Sequence, residues 1–234
     1  IRDTANKYLT RKSGSPTNAL KLTFSFWLKQ SEIAKSGDRF ILDFNSYTNN
    51  RSQIGFSHDN SSKQQLIVYE KVSGSTSQLI YTEQVFNDQS AWYHIILAFD
   101  TTKATAANRV RMYINGVEET SFSARTNPSL NVDYGVNGNW AHSIGINTYL
   151  SQNPYDGYLT EVNFTDGQAL TADDFGEFDD NGTWKAKEYT GTYGTNGFYL
   201  TMKPTTQAEL QTTVLYTGKG SSKSIEADGF TPDF

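Results

Sequence analysis

Hydrophobic and polar positions alternate along most of this chain, with the period of two that is typical of β-strands. The segment LKLTFSFWLK, residues 20–29, shows the pattern most clearly. In an extended chain Leu22, Phe24, Phe26 and Leu28 share one face, and Trp27 lies on the other. The alternation predicts a strand that turns its apolar face to a core.

The segment from residue 90 to residue 122 is predicted to organise the fold. Residues 92–99 form a nearly continuous apolar run, which indicates a strand covered on both faces. Residues 109–114 alternate and predict a second strand. Asn115-Gly116 follows at once, and this pair favours a type I′ turn because both positions need a positive φ. We therefore expect three strands here, at the centre of a β-sandwich or barrel.

Further short strands complete the predicted fold. They are expected at residues 8–9, 40–44, 52–57, 65–72, 78–82, 142–147, 157–164 and 197–202. Residues 73–75 predict a hairpin turn, and residues 124–140, rich in Asn, Gly and Pro, predict a long loop. Thr171 is expected to cap one short helical turn. Twelve or more strands and almost no helix predict an all-β fold, an antiparallel β-sandwich of jelly-roll type with two packed sheets.

The composition argues against several classes of function. The formal net charge is −5 over 234 residues, without the basic stripe that nucleic-acid binding requires. No apolar run approaches the roughly 20 residues that span a bilayer, so no membrane insertion is expected. Cysteine is absent, which removes disulfides and thiol chemistry and favours folding in a reducing cytoplasm. The chain opens on Ile1 without Met, which predicts processing or missing residues.

Two groups of motifs have a recognisable order and spacing. The first consists of WYH at 92–94, Asp100 and YING at 113–116. The second consists of residues 155–164 and the ALT at 169–171. The first group resembles the pattern W-x-H…D…Y-x-N-G, and the second resembles the closing segment, of the concanavalin A-like lectin/glucanase domains of the laminin-G and pentraxin type. The resemblance implies a concanavalin A-like β-sandwich.

A narrower resemblance, over residues 1–202, is to the version of this domain found in structural proteins of tailed phages. It is carried by KYLTR at 7–11, FSFWLK at 24–29, AWYH at 91–94, DTTKATAANRV at 100–110, WKAK at 184–187 and YTGTYGTNGFYL at 189–200. It implies a bacteriophage virion surface protein, a capsid decoration or fibre component, assembled in the host bacterial cytoplasm. Its expected partners are other capsid or tail proteins, further copies of itself in a homo-oligomer such as a trimer, and host cell-surface polysaccharide.

The chain is expected to divide into a β-sandwich domain over residues 1–204 and a C-terminal extension over residues 205–234. The extension resembles the opening of a second phage structural module, which continues with an apolar strand after Pro-Asp-Phe. This chain ends on those residues, at 232–234. A fragment, a processed product or a short relative is the expectation that follows.

Aromatic residues in loops are the candidates for glycan binding, because ring faces stack on sugar C–H groups while polar neighbours bond the hydroxyls. The candidates are Trp140, Tyr134, Tyr149, Tyr155, Tyr47 and Asn49. The alternative is that these rings pack under their own loops or into a subunit contact, since interfaces also enrich Tyr and Trp. The sequence leaves both open.

Calcium is the cofactor for which the sequence offers ligands. Several laminin-G and pentraxin relatives hold Ca²⁺ at loop oxygens, and an acidic cluster here supplies such oxygens. Its members are Asp173, Asp174, Glu177, Asp179 and Asp180. The order of a recognised calcium loop is absent, and the alternative is a solvated charged loop. The three histidines do not have zinc-site spacing, and His94 is predicted to be a hydrogen-bonded core residue.

Enzymatic activity is not expected. Glycoside hydrolysis needs two carboxylates across the scissile bond. Glu177-Phe178-Asp179 begins like the glucanase motif, but the second Glu of that motif is missing and the segment is predicted to lie outside a strand. The main prediction is a non-enzymatic, lectin-like virion protein. A dedicated receptor-binding lectin of a tail fibre is the alternative, and an endoglycosidase is the most distant one.

Overall fold

The computed structural model describes residues 8–31, 37–45, 50–58, 63–133, 135–137, 140–147 and 154–202. Within these ranges the chain forms fifteen strands. They are β1 (Leu9–Lys12), β2 (Lys21–Gln30), β3 (Arg39–Asn45), β4 (Arg51–His58), β5 (Gln64–Val72), β6 (Ser75–Val85), β7 (Tyr93–Asp100), β8 (Val110–Ile114), β9 (Val117–Glu118), β10 (Phe122–Thr126), β11 (Ala141–Ile144), β12 (Gly157–Asp166), β13 (Gly176–Phe178), β14 (Trp184–Ala186) and β15 (Phe198–Leu200). Short 3₁₀ turns lie at Ala106–Asn108, Gly135–Asn137 and Ala172–Asp174.

The strands form two large sheets and one small hairpin. The seven-stranded sheet has the order β1-β11-β3-β4-β5-β6-β10, and the six-stranded sheet has the order β15-β12-β2-β7-β8-β9. Strands β13 and β14 form the hairpin. Every strand pairing is antiparallel. The predicted all-β jelly-roll sandwich is confirmed, and none of the helices described in this chain has the length and apolar character to cross a membrane.

Aromatic rings from both sheets meet in the core. Phe24 of β2 stacks on Phe164 of β12 with ring centroids 4.5 Å apart, and it lies 5.3 Å from the ring of Phe44 in β3. All three side chains are almost completely buried. The predicted apolar face of β2 therefore forms one wall of the core, as its alternation indicated.

The predicted central unit is confirmed: β7 and β8 are its first two strands, and the Asn115-Gly116 turn leads into its third strand. Strand β7 is buried from His94 onward and lies between β2 and β8. Asn115 and Gly116 have φ values of 49° and 84°, and Ile114 pairs with Val117 across them. The third strand, β9, has only two residues. The chain then leaves this sheet.

The predicted loop over residues 124–140 is wrong in its first part, because β10 pairs with β6 at the edge of the seven-stranded sheet. Arg125 explains why so polar a segment is held there. Its guanidinium lies 4.4 Å from the ring centroid of Phe122. It also donates hydrogen bonds to the carbonyls of Ala107 and Val110, which ties the crossing segment to the other sheet.

A second layer covers the outer face of the six-stranded sheet. Phe175 and Trp184 form a buried cluster with Ile96 and Tyr113 of that sheet. The prediction that the segment at Glu177 lies outside a strand is wrong, since it belongs to β13 and pairs with β14. The turn between them closes because the carboxylate of Asp179 accepts two backbone N–H bonds.

Replacing Gly116 by alanine is expected to lower the free energy of unfolding by about 2 kcal/mol, because alanine is strained at positive φ and its methyl group would overpack the core. A Cβ at this position would lie 2.4 Å from Cε3 of Trp184. Gly182, with φ of 75° and no atom within 4 Å of such a Cβ, is the matched control. The Gly182→Ala variant should lower the free energy of unfolding, measured in denaturant, by about 1 kcal/mol. Equal losses would contradict the packing argument.

The chain divides into two units, Ile1–Thr201 and Met202–Phe234. The β-sandwich occupies the first unit. Residues 203–234 lie outside the described residues, so the C-terminal extension stays a prediction.

Candidate functional site

A groove of about 340 Å³ lies on the outer face of the seven-stranded sheet. Its polar and aromatic lining consists of Asp38, Arg51, Gln53, Tyr69, Tyr81 and Asn147, and its apolar floor of Phe40, Ile67 and Leu79. We call this the outer groove. The outer groove brings hydrogen-bonding side chains and aromatic ring faces together on one surface, and both kinds of group can contact a polar ligand.

Strand register assembles the outer groove. Alternate residues of a strand point to opposite faces. In β5, Leu66 and Val68 are buried in the core, and Tyr69 therefore faces outward. Gln53 of β4 is the register partner of Tyr69. Seven of the nine lining residues therefore lie in paired strands, and Asp38 and Asn147 lie just outside them.

One end of the outer groove is organised around Ser57. Its hydroxyl donates to Oδ1 of Asp38 at 2.9 Å and lies within hydrogen-bonding reach of the Tyr81 hydroxyl. Burial raises the pKa of Tyr81 above its usual range. The phenol therefore stays protonated at neutral pH and can donate a hydrogen bond to a ligand.

The middle and the other end of the outer groove are also held in place. Nε2 of Gln53 donates to Oδ1 of Asp43 at 2.9 Å, and Asp43 is completely buried. This bond orients the Gln53 amide. The guanidinium of Arg51 lies 5.4 Å from the ring centroid of Tyr69, in cation–π contact.

A second hollow of about 280 Å³ has a different character. It is lined mainly by Leu9, Arg11, His142, Ile144, Phe198 and Leu200, from strands β1, β11 and β15. The surface is predominantly apolar. It suits apolar side chains better than a hydroxyl-rich molecule, so the outer groove is the better candidate for a polar ligand.

The structure corrects one predicted glycan-binding residue and reinterprets another. Tyr155 is only 1 % exposed, and its hydroxyl donates to the carbonyl of Lys29 at 3.0 Å. Its ring cannot stack on a sugar, and the prediction for it is wrong. Trp140 is half-buried, and its ring packs against Gly135 of its own loop. Its geometry favours the alternative of rings packed under loops. The predicted residues Tyr47, Asn49, Tyr134 and Tyr149 lie outside the described residues.

Two of the five acidic residues predicted as calcium ligands, Asp174 and Asp179, hold turns together. Asp174 accepts the backbone N–H of Thr171 at 2.8 Å and completes a capping box. Asp179 closes the β13–β14 turn and pairs with Lys185 at 2.6 Å. Among the described residues, no three His, Asp or Glu side chains are grouped so that they could hold a metal ion. The geometry of this cluster lends calcium binding no support, and it stays a prediction.

His94 is confirmed as a hydrogen-bonded core histidine. Its Nδ1 accepts the indole N–H of Trp184 at 2.8 Å, and its Nε2 bonds the hydroxyl of Ser25 at 2.8 Å. Its ring stacks on Trp27 with centroids 4.8 Å apart. Both nitrogens are occupied within the fold, so His94 has no free nitrogen for catalysis or for a metal.

The residues of the outer groove are not among the predicted glycan-binding residues, because those candidates are aromatic and polar residues of loops. Tyr69, Tyr81, Gln53 and Arg51 all lie within strands. A signal was present, since the outward positions of three successive predicted strands carry polar and aromatic residues. Only the pairing of those strands reveals that these positions are neighbours.

Comparisons with known proteins agree with the architecture. Residues 3–175 match the family model described as the concanavalin A-like lectin/glucanases superfamily, and the chain belongs to this family. Comparison with curated protein sequences gives no match.

Comparison with solved structures finds similar chains at low identity. A protein of Bacteroides ovatus ATCC 8483, whose suggested role is carbohydrate binding, is 12% identical with a TM-score of 0.52, covering 83% of this chain and 48% of that one. A heptameric pentraxin from Limulus polyphemus is 17% identical with a TM-score of 0.48, over 74% and 75% of the two chains. Tailspike protein 2 of an Escherichia coli O157:H7 bacteriophage is 12% identical with a TM-score of 0.46, over 72% and 22%.

Proposed function

We propose that this protein is a non-enzymatic carbohydrate-binding domain, and that a polysaccharide lies in the outer groove. The observation that carries the proposal is the lining itself. Two tyrosine rings, Tyr69 and Tyr81, stand beside the amide of Gln53 in β4 and the amide of Asn147, which follows β11. This combination of ring faces and fixed hydrogen-bonding groups suits the amphipathic faces of sugars. Membership of a lectin/glucanase family supports the same role.

The proposed setting is the surface of a tailed-phage particle. It rests on the motif resemblance over residues 1–202. The protein would be a capsid decoration or fibre component, would assemble as a homo-oligomer with other virion proteins, and would hold host cell-surface polysaccharide. A receptor-binding lectin of a tail fibre would use the same groove.

Binding without hydrolysis is supported by the carboxylates of the outer groove. Among the described residues, Asp38 is the one carboxylate that lines it, and this side chain already accepts a hydrogen bond from Ser57. Glycosidases of either stereochemistry require a pair of carboxyl groups, about 5 to 9.5 Å apart. The groove as described therefore favours a lectin over an endoglycosidase.

Replacing Tyr69 by alanine is expected to weaken polysaccharide binding about tenfold, or ~1.4 kcal/mol, through loss of a stacking face. Calorimetric titration against a panel of neutral and acidic bacterial envelope polysaccharides measures this. Tyr158 on β12, a 51 % exposed tyrosine of the other sheet, provides the matched Tyr158→Ala control. The proposal fails if no polysaccharide binds, or if both variants bind like the unchanged protein. Repeating the titration in EDTA tests the calcium prediction.

A further inference from the structure

Two cations stand side by side at one end of the outer groove. Arg51 of β4 and Lys71 of β5 are register partners in an antiparallel pair. Directly opposed residues in such a pair point to the same face of the sheet. Arg51 lines the groove, so Lys71 also faces outward beside it. We call these residues the cation pair.

The described part of the chain supplies no ion-pair partner for the cation pair. Neither residue takes part in any of the ion pairs formed by the described residues. Nε of Arg51 is buried and has no hydrogen-bond partner in the described part of the chain. Like charges directly opposed across two strands are destabilising. Such an arrangement is unexpected in a chain with 25 acidic and 20 basic residues, unless an anion from outside completes it.

The carboxylates nearest to the cation pair in this sheet have hydrogen-bond donors of their own. Asp43 is completely buried and takes the hydrogen bond from Gln53. Glu70 is also completely buried and points to the core side of the sheet, where it accepts bonds from two serines and a backbone N–H. Asp38 accepts a hydrogen bond from Ser57. Ser57 lies six residues from Arg51 along β4, which is roughly 20 Å in an extended strand. Screening in physiological salt makes interaction over that distance weak.

The ring of Tyr69 shapes what Arg51 can bind. With its guanidinium in cation–π contact with this ring, 5.4 Å from the centroid, Arg51 keeps N–H groups at its edge for an oxyanion. A planar guanidinium binds a carboxylate or sulfate through two parallel N–H···O bonds, and a lysine ammonium adds a point charge beside it. The exposed part of the half-buried Tyr69 ring is left to contact the adjoining sugar.

We propose that the outer groove selects acidic polysaccharides, and that the cation pair binds the carboxylate or sulfate groups of their sugar units. This inference rests on the proposed function, since it names the class of saccharide that the same groove takes. The neutral hydroxyls of that saccharide contact the tyrosines and amides, and the anionic substituent lies over Arg51 and Lys71.

The test compares three polymers in EDTA-containing buffer at about physiological ionic strength: polygalacturonate, dextran sulfate and neutral dextran. The variant is the double substitution Arg51→Gln and Lys71→Gln. The matched control is Lys12→Gln with Lys29→Gln, which removes the same charge from β1 and β2, outside the groove lining. We expect the unchanged protein and the control to bind an acidic polymer at least tenfold more tightly than dextran, and the Arg51/Lys71 variant to lose that preference. Thermal unfolding verifies that each variant folds.

Each outcome decides a different point. Preference for polygalacturonate identifies carboxylate as the recognised group, and preference for dextran sulfate identifies sulfate. Equal binding of acidic and neutral polymers, weakened by Tyr69→Ala, overturns the inference and leaves the proposed function intact. If the Arg51/Lys71 variant still prefers an acidic polymer to neutral dextran, the inference is also overturned. Failure of all three polymers and of the envelope panel overturns both.

Discussion

Replacing Asp166 by alanine is expected to lower the free energy of unfolding by about 4 kcal/mol, because buried N–H donors lose their acceptor. Asp166 is 1 % exposed. Its two carboxylate oxygens accept bonds from the backbone N–H groups of Thr17, Asn18 and Asn196, at 2.7, 3.4 and 3.1 Å, and from the amide of Asn137 at 2.7 Å. One carboxylate therefore ties together three loops that are far apart in sequence.

Denaturant unfolding of Asp166→Ala and Asp166→Asn measures this effect. Asparagine keeps the shape but turns an NH₂ group towards N–H donors, so it should also be strongly destabilising. Asp180, exposed in the β13–β14 turn, provides the matched control Asp180→Ala, which should change stability by less than about 0.5 kcal/mol. An Asp166→Asn protein as stable as the unchanged one would refute the argument.

The same carboxylate predicts a dependence of stability on acid. Although burial opposes ionisation, the hydrogen bonds from Thr17, Asn137 and Asn196 hold the pKa of Asp166 below its usual value of 3.8. The folded state therefore favours the ionised form. Its stabilising effect is complete above about pH 3.8 and is lost as the pH falls through the lowered pKa. In Asp166→Asn, the part of the acid dependence of the unfolding free energy that comes from Asp166 should be missing.

Replacing His94 by alanine is expected to cost about 4 kcal/mol, since it removes a fully packed ring and leaves the indole N–H of Trp184 without an acceptor. The ring lies between Trp27 and Trp184 and joins the six-stranded sheet to its outer layer. Because an indole N–H only donates, Nδ1 of His94 accepts and Nε2 carries the proton, which it donates to Ser25. Unfolding in denaturant measures the loss, and nitrogen NMR of the imidazole verifies this tautomer.

His94 also predicts that stability falls in mild acid. Burial lowers the pKa of His94 from 6.5 to about 3. The unfolded chain therefore takes up a proton that the folded protein rejects. Stability is complete above about pH 6.5 and falls towards pH 3, by about 1.4 kcal/mol per pH unit for one proton. In His94→Phe the slope of the unfolding free energy against pH should be smaller by the contribution of one proton, about 1.4 kcal/mol per pH unit. An unchanged slope, or an imidazole titrating near pH 6.5, would contradict the assignment.

The candidate site was less predictable than the fold. The motif around Trp92, His94 and Asn115-Gly116 indicated the family, because the identity, order and spacing of these residues can be read from the sequence alone. The glycan candidates Trp140 and Tyr155 were chosen as loop aromatics, and the structure shows both packed within the fold. Ring chemistry alone does not distinguish a tyrosine that binds a ligand from one that fills a core.

By itself the sequence determined the elements whose signals are local. The alternation in β2, the apolar run of β7, the Asn-Gly turn after β8 and the cap at Thr171 all depend on residues a few positions apart. Tertiary structure decided the outer groove, the crossing of β10 to the other sheet and the pairing of Arg51 with Lys71. The physical reason is that a period of two shows which residues share a face, whereas register and strand order decide which strands meet and which face stays open.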